Sequence, residues 1–358
     1  MSTSDRQQPG GDWQEPGAGS PQGGGPPAAL GVPAWLKMVV VLIFLAALGW
    51  VLLLLVQFCT EETTTGPLDS VPGVTDQDKG APKYVRSLYD VARPLGVAVS
   101  GDGNIYVTES AGERFIRVFN RDGKLLNSLA APGTTERDRL PLYLAIGGQG
   151  RVYVSDGLRN TIDIFNADGS YNGAFAPTAA IPAEEWVPLA LAFNRKGDLY
   201  VTLASEARHQ VAVFDSSGNL KLRFGQQGQG DGEFWFPNGI AADSQGRIYV
   251  SDSNNGRVQA FDAQGKFLYA IRRGYAKGDL SFPRGITVDD KNRLFVVDTV
   301  RHAVNVYRLA DSPAFIYSFG DAGIEDGEFL FPNALALDDS GRLYVTDREN
   351  GRIQVWSY

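Results

Sequence analysis

Glu109, Asp156, Asp252, Asp298 and Asp347 each close a short run built on Tyr-Val or Phe-Val. A fold that gathered such carboxylates would offer the oxygen ligands of a calcium site. Asp252 and Asp347, however, are each followed five residues later by an arginine, Arg257 and Arg352. An Asp and an Arg that frame so short a loop can pair and hold it closed. An acid that recurs along the chain does the same job at each recurrence. The acids are therefore assigned to architecture, and no cofactor is expected, with calcium kept as the minor alternative. The two histidines, His209 and His302, are too few for a catalytic zinc, which usually takes three protein ligands. Both are expected at the surface. Gly-x-Ser-x-Gly, His-Glu-x-x-His and a phosphate-cradling glycine loop with Lys are all missing from the sequence.

The elements that carry these residues repeat. Pro94, Pro141, Pro188, Pro237, Pro283 and Pro332 each open the same line, at spacings of 47, 47, 49, 46 and 49 residues. Its middle phrase reads NIYVTE, RVYVSD, DLYVTL, RIYVSD, RLFVVD and RLYVTD. Each copy holds four strand signals rich in β-branched and aromatic residues, punctuated by Gly, Asp, Asn and Ser. Four strands at a period in the forties specify a propeller blade. A lone blade would leave both faces bare, so blades must stack around an axis. The fold class is all-β, a six-bladed β-propeller.

The first strand of each copy reads LGVAVS, LYLAIG, LALAFN, NGIAAD, RGITVD and NALALD. Small residues recur in it, as a crowded axis requires. The last copy stops after three strands. Residues 84–90, YVRSLYD, resemble the outer strands of other copies and are expected to complete the final blade beside 353–357. That splice removes the open sheet edges.

The chain enters every first strand from one face. The residues after the six prolines, Leu95, Leu142, Leu189, Asn238, Arg284 and Asn333, should therefore meet around one mouth. An apolar half facing a polar half suits a small-ligand site. A plug of the axis by mixed side chains is the competing reading.

The pattern Pro-x-Gly-Ile-Ala, Gly-Arg-Ile-Tyr-Val-Ser-Asp and Asn-x-Arg-Val/Ile-Gln-x-Phe/Trp resembles the NHL repeat family. So does the glycine-rich run at 225–239, echoed at 320–334. The resemblance implies a propeller of six blades. It also implies functions of two kinds. Some NHL ectodomains are sensors or adhesion platforms, and other six-bladed relatives are calcium-dependent lactonases or a zinc-bearing amidating lyase. The lyase's histidine set is not supplied here. For a lactonase cluster only Asn238 and Asn333 qualify, with no acid beside them among the mouth positions.

Ahead of the repeats the composition changes three times. Residues 1–35, rich in Gly, Pro, Gln and Ser, cannot bury enough apolar surface to order and are expected to form a disordered cytoplasmic tail. Met38 to Phe58 carries no charge and spans roughly 31 Å as a helix, the thickness of a hydrocarbon core. Residues 36–58 are therefore expected to be a single-pass signal anchor, with Trp35 at the interface and membrane contact through 38–58. Lys37 precedes the span, and no Lys or Arg follows until Lys79. That asymmetry puts the N-terminus in the cytoplasm and the propeller outside it. Residues 59–81 read as a flexible polar stalk, and 82–358 as the propeller. Cys59 is the single cysteine, so no internal disulfide forms. The net charge of −8 and the lack of a basic cluster argue against nucleic acid. The expected function is a membrane-tethered extracytoplasmic binding or scaffold module that presents a propeller face to a protein, peptide or glycan. A metal-dependent hydrolase or lyase is the alternative.

Overall fold

A computed structural model describes residues 80–358, apart from 176, 178–180, 207 and 275. The expected tail, the anchor and all but the end of the stalk lie outside the described residues. Among the described residues no helix is long and apolar enough to cross a membrane.

Six four-stranded antiparallel sheets form six blades. Their inner strands are Pro94–Val99, Pro141–Ile146, Pro188–Phe193, Pro237–Ala242, Pro283–Val288 and Pro332–Leu337. In blade 4 the second strand, Ile248–Asp252, and the third, Arg257–Phe261, are buried at every position. Neighbouring blades cover both faces of these strands, so even their polar residues Ser251, Asp252, Arg257 and Gln259 are buried. The outer strand Phe267–Ile271 is only partly covered. The core lies between blades. Ala241, Tyr249 and Val258 of blade 4, for instance, cluster with Ile286, Leu294 and Tyr307 of blade 5.

Blade 6 consists of Pro332–Leu337, Arg342–Asp347, Arg352–Ser357 and, as its outer strand, Lys83–Leu88. The pairing runs from Lys83 opposite Ser357 to Leu88 opposite Ile353. The closing strand is shorter than expected at its far end. Asp90 and Arg93 adopt φ of 63° and 48°, which turns the chain inward to Pro94. Side chains lock the splice. Tyr84 meets Trp356 edge-on at 5.9 Å and donates to Asp326 at 2.7 Å, while Arg86 Nη1 donates to the Asp122 carbonyl of blade 1 at 2.9 Å.

At the hub, every inner strand bulges just after its proline; in blade 1 the register passes from Pro94–Glu109 to Val97–Val107. The hydroxyl in the middle phrase fills the gap. Thr108 Oγ1 accepts from Gly96 N at 2.7 Å and donates to the Leu142 carbonyl of blade 2 at 2.6 Å. Thr346 Oγ1 accepts from Ala334 N at 2.8 Å and reaches the Leu95 carbonyl at 3.0 Å, bridging blades 6 and 1. Ser155 and Thr202 accept in the same way from Tyr143 N and Ala190 N. The third position of the inner strand is Gly96, Tyr143, Ala190, Gly239, Gly285 or Ala334. A Cβ on Gly239 would lie 2.1 Å from the Arg284 carbonyl, and one on Gly285 would lie 2.6 Å from Ala334 Cα. Tyr143 is the large exception. It is buried on the axis, its hydroxyl 3.4 Å from Asn333 Nδ2, and the other five positions stay small around it. A cavity of about 50 Å³, lined from all six inner strands, remains beneath.

Gly285→Ala should lower stability by about 1–3 kcal/mol in chemical denaturation, because backbone rather than a flexible side chain opposes the methyl group. Gly101→Ala, where a Cβ meets nothing within 4 Å, should stay within about 0.5 kcal/mol of the parent.

Candidate functional site

The mouth is built from the connections that lead into each proline, and the recurrent acids fix those connections. Glu109 accepts from Ala92 N at 3.0 Å and Asp156 from Leu140 N at 3.1 Å. Asp252 accepts from Trp235 N at 2.6 Å, Asp298 from Ser281 N at 2.7 Å and Asp347 from Leu330 N at 2.7 Å. All five acids are buried. Arg257 Nε lies 2.7 Å from Asp252, and Arg352 Nε lies 2.7 Å from Asp347. The same guanidiniums hold the preceding connection, Arg257 through the Gly230 and Glu233 carbonyls and Arg352 through Glu325 and Glu328. Burial pushes the Asp252 carboxyl above the usual range, against the Trp235 amide, Asn255 and Arg257. Breaking such a buried pair from one side costs about 3–5 kcal/mol. Each carboxylate is thus committed to its own blade. Among the described residues no three His, Cys, Asp or Glu side chains converge as metal ligands.

Blade 3 has Leu203 where the others have an acid, and that leucine is buried against Trp186 and Ile181. Its carboxylate comes instead from the connection. Glu185 pairs with Arg223 and with Arg208, the latter at 3.2 Å, and accepts from Gln210 at 3.3 Å. Only its adjacency to Trp186 hinted at this in the sequence.

One of the two histidines needs correction. His209 is 2% exposed, not a surface residue. It opens the third strand of blade 3, and the connection into blade 4 lies across it. Its Nδ1 is 3.3 Å from Phe236 N, and the ring packs on Phe236 at 4.8 Å. His302 repeats the arrangement one blade pair on, with Nδ1 accepting from Phe331 N at 3.1 Å and the rings 4.7 Å apart. Both phenylalanines sit in the left-handed region, at φ 56° and 52°. Such strain persists in bulky residues only where the surroundings impose it. Yet their rings face solvent. Trp235 is 40% exposed, Phe236 43% and Phe331 37%. The sequence offered one sign of these aromatics, their place just before Pro237 and Pro332.

The six mouth positions divide. Asn333 is buried; its Nδ2 donates to the Leu95 carbonyl at 2.9 Å and its Oδ1 accepts from Arg284 Nη1 at 2.9 Å. Leu95 is buried as well, so this side of the axis is closed by Asn333, Leu95 and Tyr143. Leu142, Leu189, Asn238 and Arg284 are half-exposed around it. Asn238 Nδ2 donates to the Phe236 carbonyl at 3.2 Å. Arg284 lies over the Phe282 ring at 5.2 Å, within cation–π range. An axial calcium does not fit this set. Asn333 has both amide atoms engaged, and among the described residues the five recurrent carboxylates are committed to their own connections.

This architecture agrees with what the chain is similar to. The NHL repeat model matches residues 234–261 and 329–356, which lie in blades 4 and 6. A gluconolactonase of Xanthomonas campestris is 17% identical, with a TM-score of 0.58 over 78% of this chain and 95% of that one. A catalytically inactive virginiamycin B lyase of Staphylococcus aureus with quinupristin is 15% identical, with a TM-score of 0.55 over 78% and 100%. A chain of a nidogen–laminin complex is 18% identical, with a TM-score of 0.51 over 63% and 79%. At these identities the likeness is one of fold. No curated protein matches by sequence. The chain is a six-bladed β-propeller that carries NHL repeats.

Burial holds the His209 imidazole below the usual histidine range, against the Phe234 carbonyl and the charge of Asp252. His209 Nδ1 lies between Phe236 N and the Phe234 carbonyl, 3.3 and 3.2 Å away, and the tautomer decides which of the two it bonds. A group whose folded pKa is depressed binds more protons when unfolded, so stability falls as pH drops below the unfolded histidine value of about 6.5. Denaturation at pH 7 and pH 5 should show this loss, and His209→Gln should reduce it.

Proposed function

We propose that the chain is a non-enzymatic binding module, a propeller tethered by residues 38–58 that presents its mouth face outside the cytoplasm. The observation that carries this reading is the rim of Trp235, Phe236 and Phe331. Buried His209, half-buried His302 and the buried carboxylates hold these aromatics on strained backbone while leaving the rings in solvent. Exposed aromatics fixed in place are the anchors that dominate association energy. The anchoring half of the proposal is supported by the uncharged run from Met38 to Phe58 and by Lys37 before it.

A hydrolase or lyase is the second reading, and it is favoured by the fold likeness to the gluconolactonase and the virginiamycin B lyase. Against it stand the committed carboxylates, the paired Asn333 and the Tyr143 plug. Propellers host unrelated activities, so fold alone does not choose between them.

Crosslinking of the full chain in its native membrane should capture a partner. Trp235→Ser with Phe331→Asn should reduce that capture by about tenfold or more at an unchanged melting temperature. Asn is chosen because it tolerates the left-handed region. Undiminished capture, or lactone hydrolysis that depends on a stoichiometric metal, would overturn the reading.

A further inference from the structure

Resting on the reading of the mouth face as a binding surface, we infer that blades 5, 6 and 1 build a carboxylate subsite there. Its ligand is a carboxylate joined to an apolar group, with the apolar part lying on Leu142 and Leu189.

Three guanidiniums border this part of the mouth. Arg284 follows the blade 5 proline, Arg348 follows the blade 6 clamp acid, and Arg93 precedes the blade 1 proline. Arg93 and Arg348 share one carboxylate. Glu349 Oε1 lies 2.6 Å from Arg93 Nη2 and 2.9 Å from Arg348 Nε. Arg284 has no ion-pair partner among the described residues. Its Nη1 is spent on the neutral Asn333 amide, and its Nε is buried with no acceptor. A guanidinium N–H left without an acceptor in a buried position is costly, and a second one at the same group forms the fork that a carboxylate fits.

The surplus of positive charge is local, since the whole chain carries −8. Burial holds the Arg348 guanidinium below the usual arginine range, and the charges of Arg284 and Arg93 add to the effect against Glu349. An anion seated among the three would relieve that repulsion, and Arg284 would turn its buried Nε outward to complete the fork. Across the axis the half-exposed Leu142 and Leu189 offer no polar side-chain group. An inorganic anion would leave them bare, whereas an apolar group beside the carboxylate covers them. Tyr143 and Asn333 close the axis beneath, so the ligand lies on the mouth rather than in the channel.

The test is calorimetric titration of the full chain in detergent with four probes: N-acetyl-leucine, N-acetyl-leucinamide, hexanoate and inorganic phosphate. At least one of the two carboxylates should bind about tenfold or more tightly than the neutral amide and phosphate, and Arg284→Gln and Arg348→Gln should each weaken it by a similar factor. Arg284→Lys, which keeps the charge but loses the fork, should retain part of the affinity at an unchanged melting temperature. Preference for N-acetyl-leucine assigns a peptide chain end, and preference for hexanoate assigns an acyl carboxylate. Equal binding of the amide, equal binding of phosphate, no binding, or indifference to both Gln variants would overturn the subsite. If the probes fail while partner capture still depends on Trp235 and Phe331, the subsite is wrong and the binding face stands. If capture does not depend on those aromatics, the underlying reading is itself wrong.

Discussion

One short strand holds the ring shut. Lys83–Leu88 pairs with Arg352–Ser357 and supplies the outer edge that the last repeat lacks. A propeller left open would expose two sheet edges and two inter-blade faces at once. Much of the mouth also exists only in the closed ring. Thr346 reaches the Leu95 carbonyl, Asn333 donates to the same carbonyl, and Arg93 pairs with Glu349, and each of these contacts joins blade 6 to blade 1. The arginine cluster therefore straddles the seam, so the chemistry of the mouth depends on a β-pairing between residues far apart in sequence.

The clamp residues connect local sequence to the mouth face. A buried carboxylate at the end of each second strand, in five of the six blades, takes the backbone amides of the connection into an inner strand. This fixes where each connection lies. On blades 4 and 6 it also fixes Trp235 and Leu330, and the histidines of blades 3 and 5 fix Phe236 and Phe331. Left-handed backbone at a bulky residue costs about 1–3 kcal/mol, which these paired bonds offset. The exposed aromatics are thus held by the same groups that close the loops.

The repeat, the strand order and the closing splice were legible because each depends on turn punctuation and on short phrases that recur from copy to copy, both local properties. The Asp–Arg pairs were legible because their partners are five residues apart. Tyr143 was not, since a tyrosine fits the axis only because its five counterparts are small, which is a collective condition. His209 was misjudged for a similar reason. Its burial comes from the connection 25 residues downstream that lies over it, as its contact with the Phe234 carbonyl shows. Glu185 escaped notice because it replaces a strand residue from a different segment. Nothing local marked Arg93 and Arg348 as neighbours of Arg284, since they come from three different blades.

Hydrogen exchange at the closing strand tests the central claim most directly. If the ring is shut by Lys83–Leu88, the ladder amides of that strand should exchange only on global unfolding, as slowly as those of Arg352–Ser357. Fast exchange across 83–88 beside a protected Arg352–Ser357 strand would show that the ring is held by something else, and the seam-borne mouth described here would not stand.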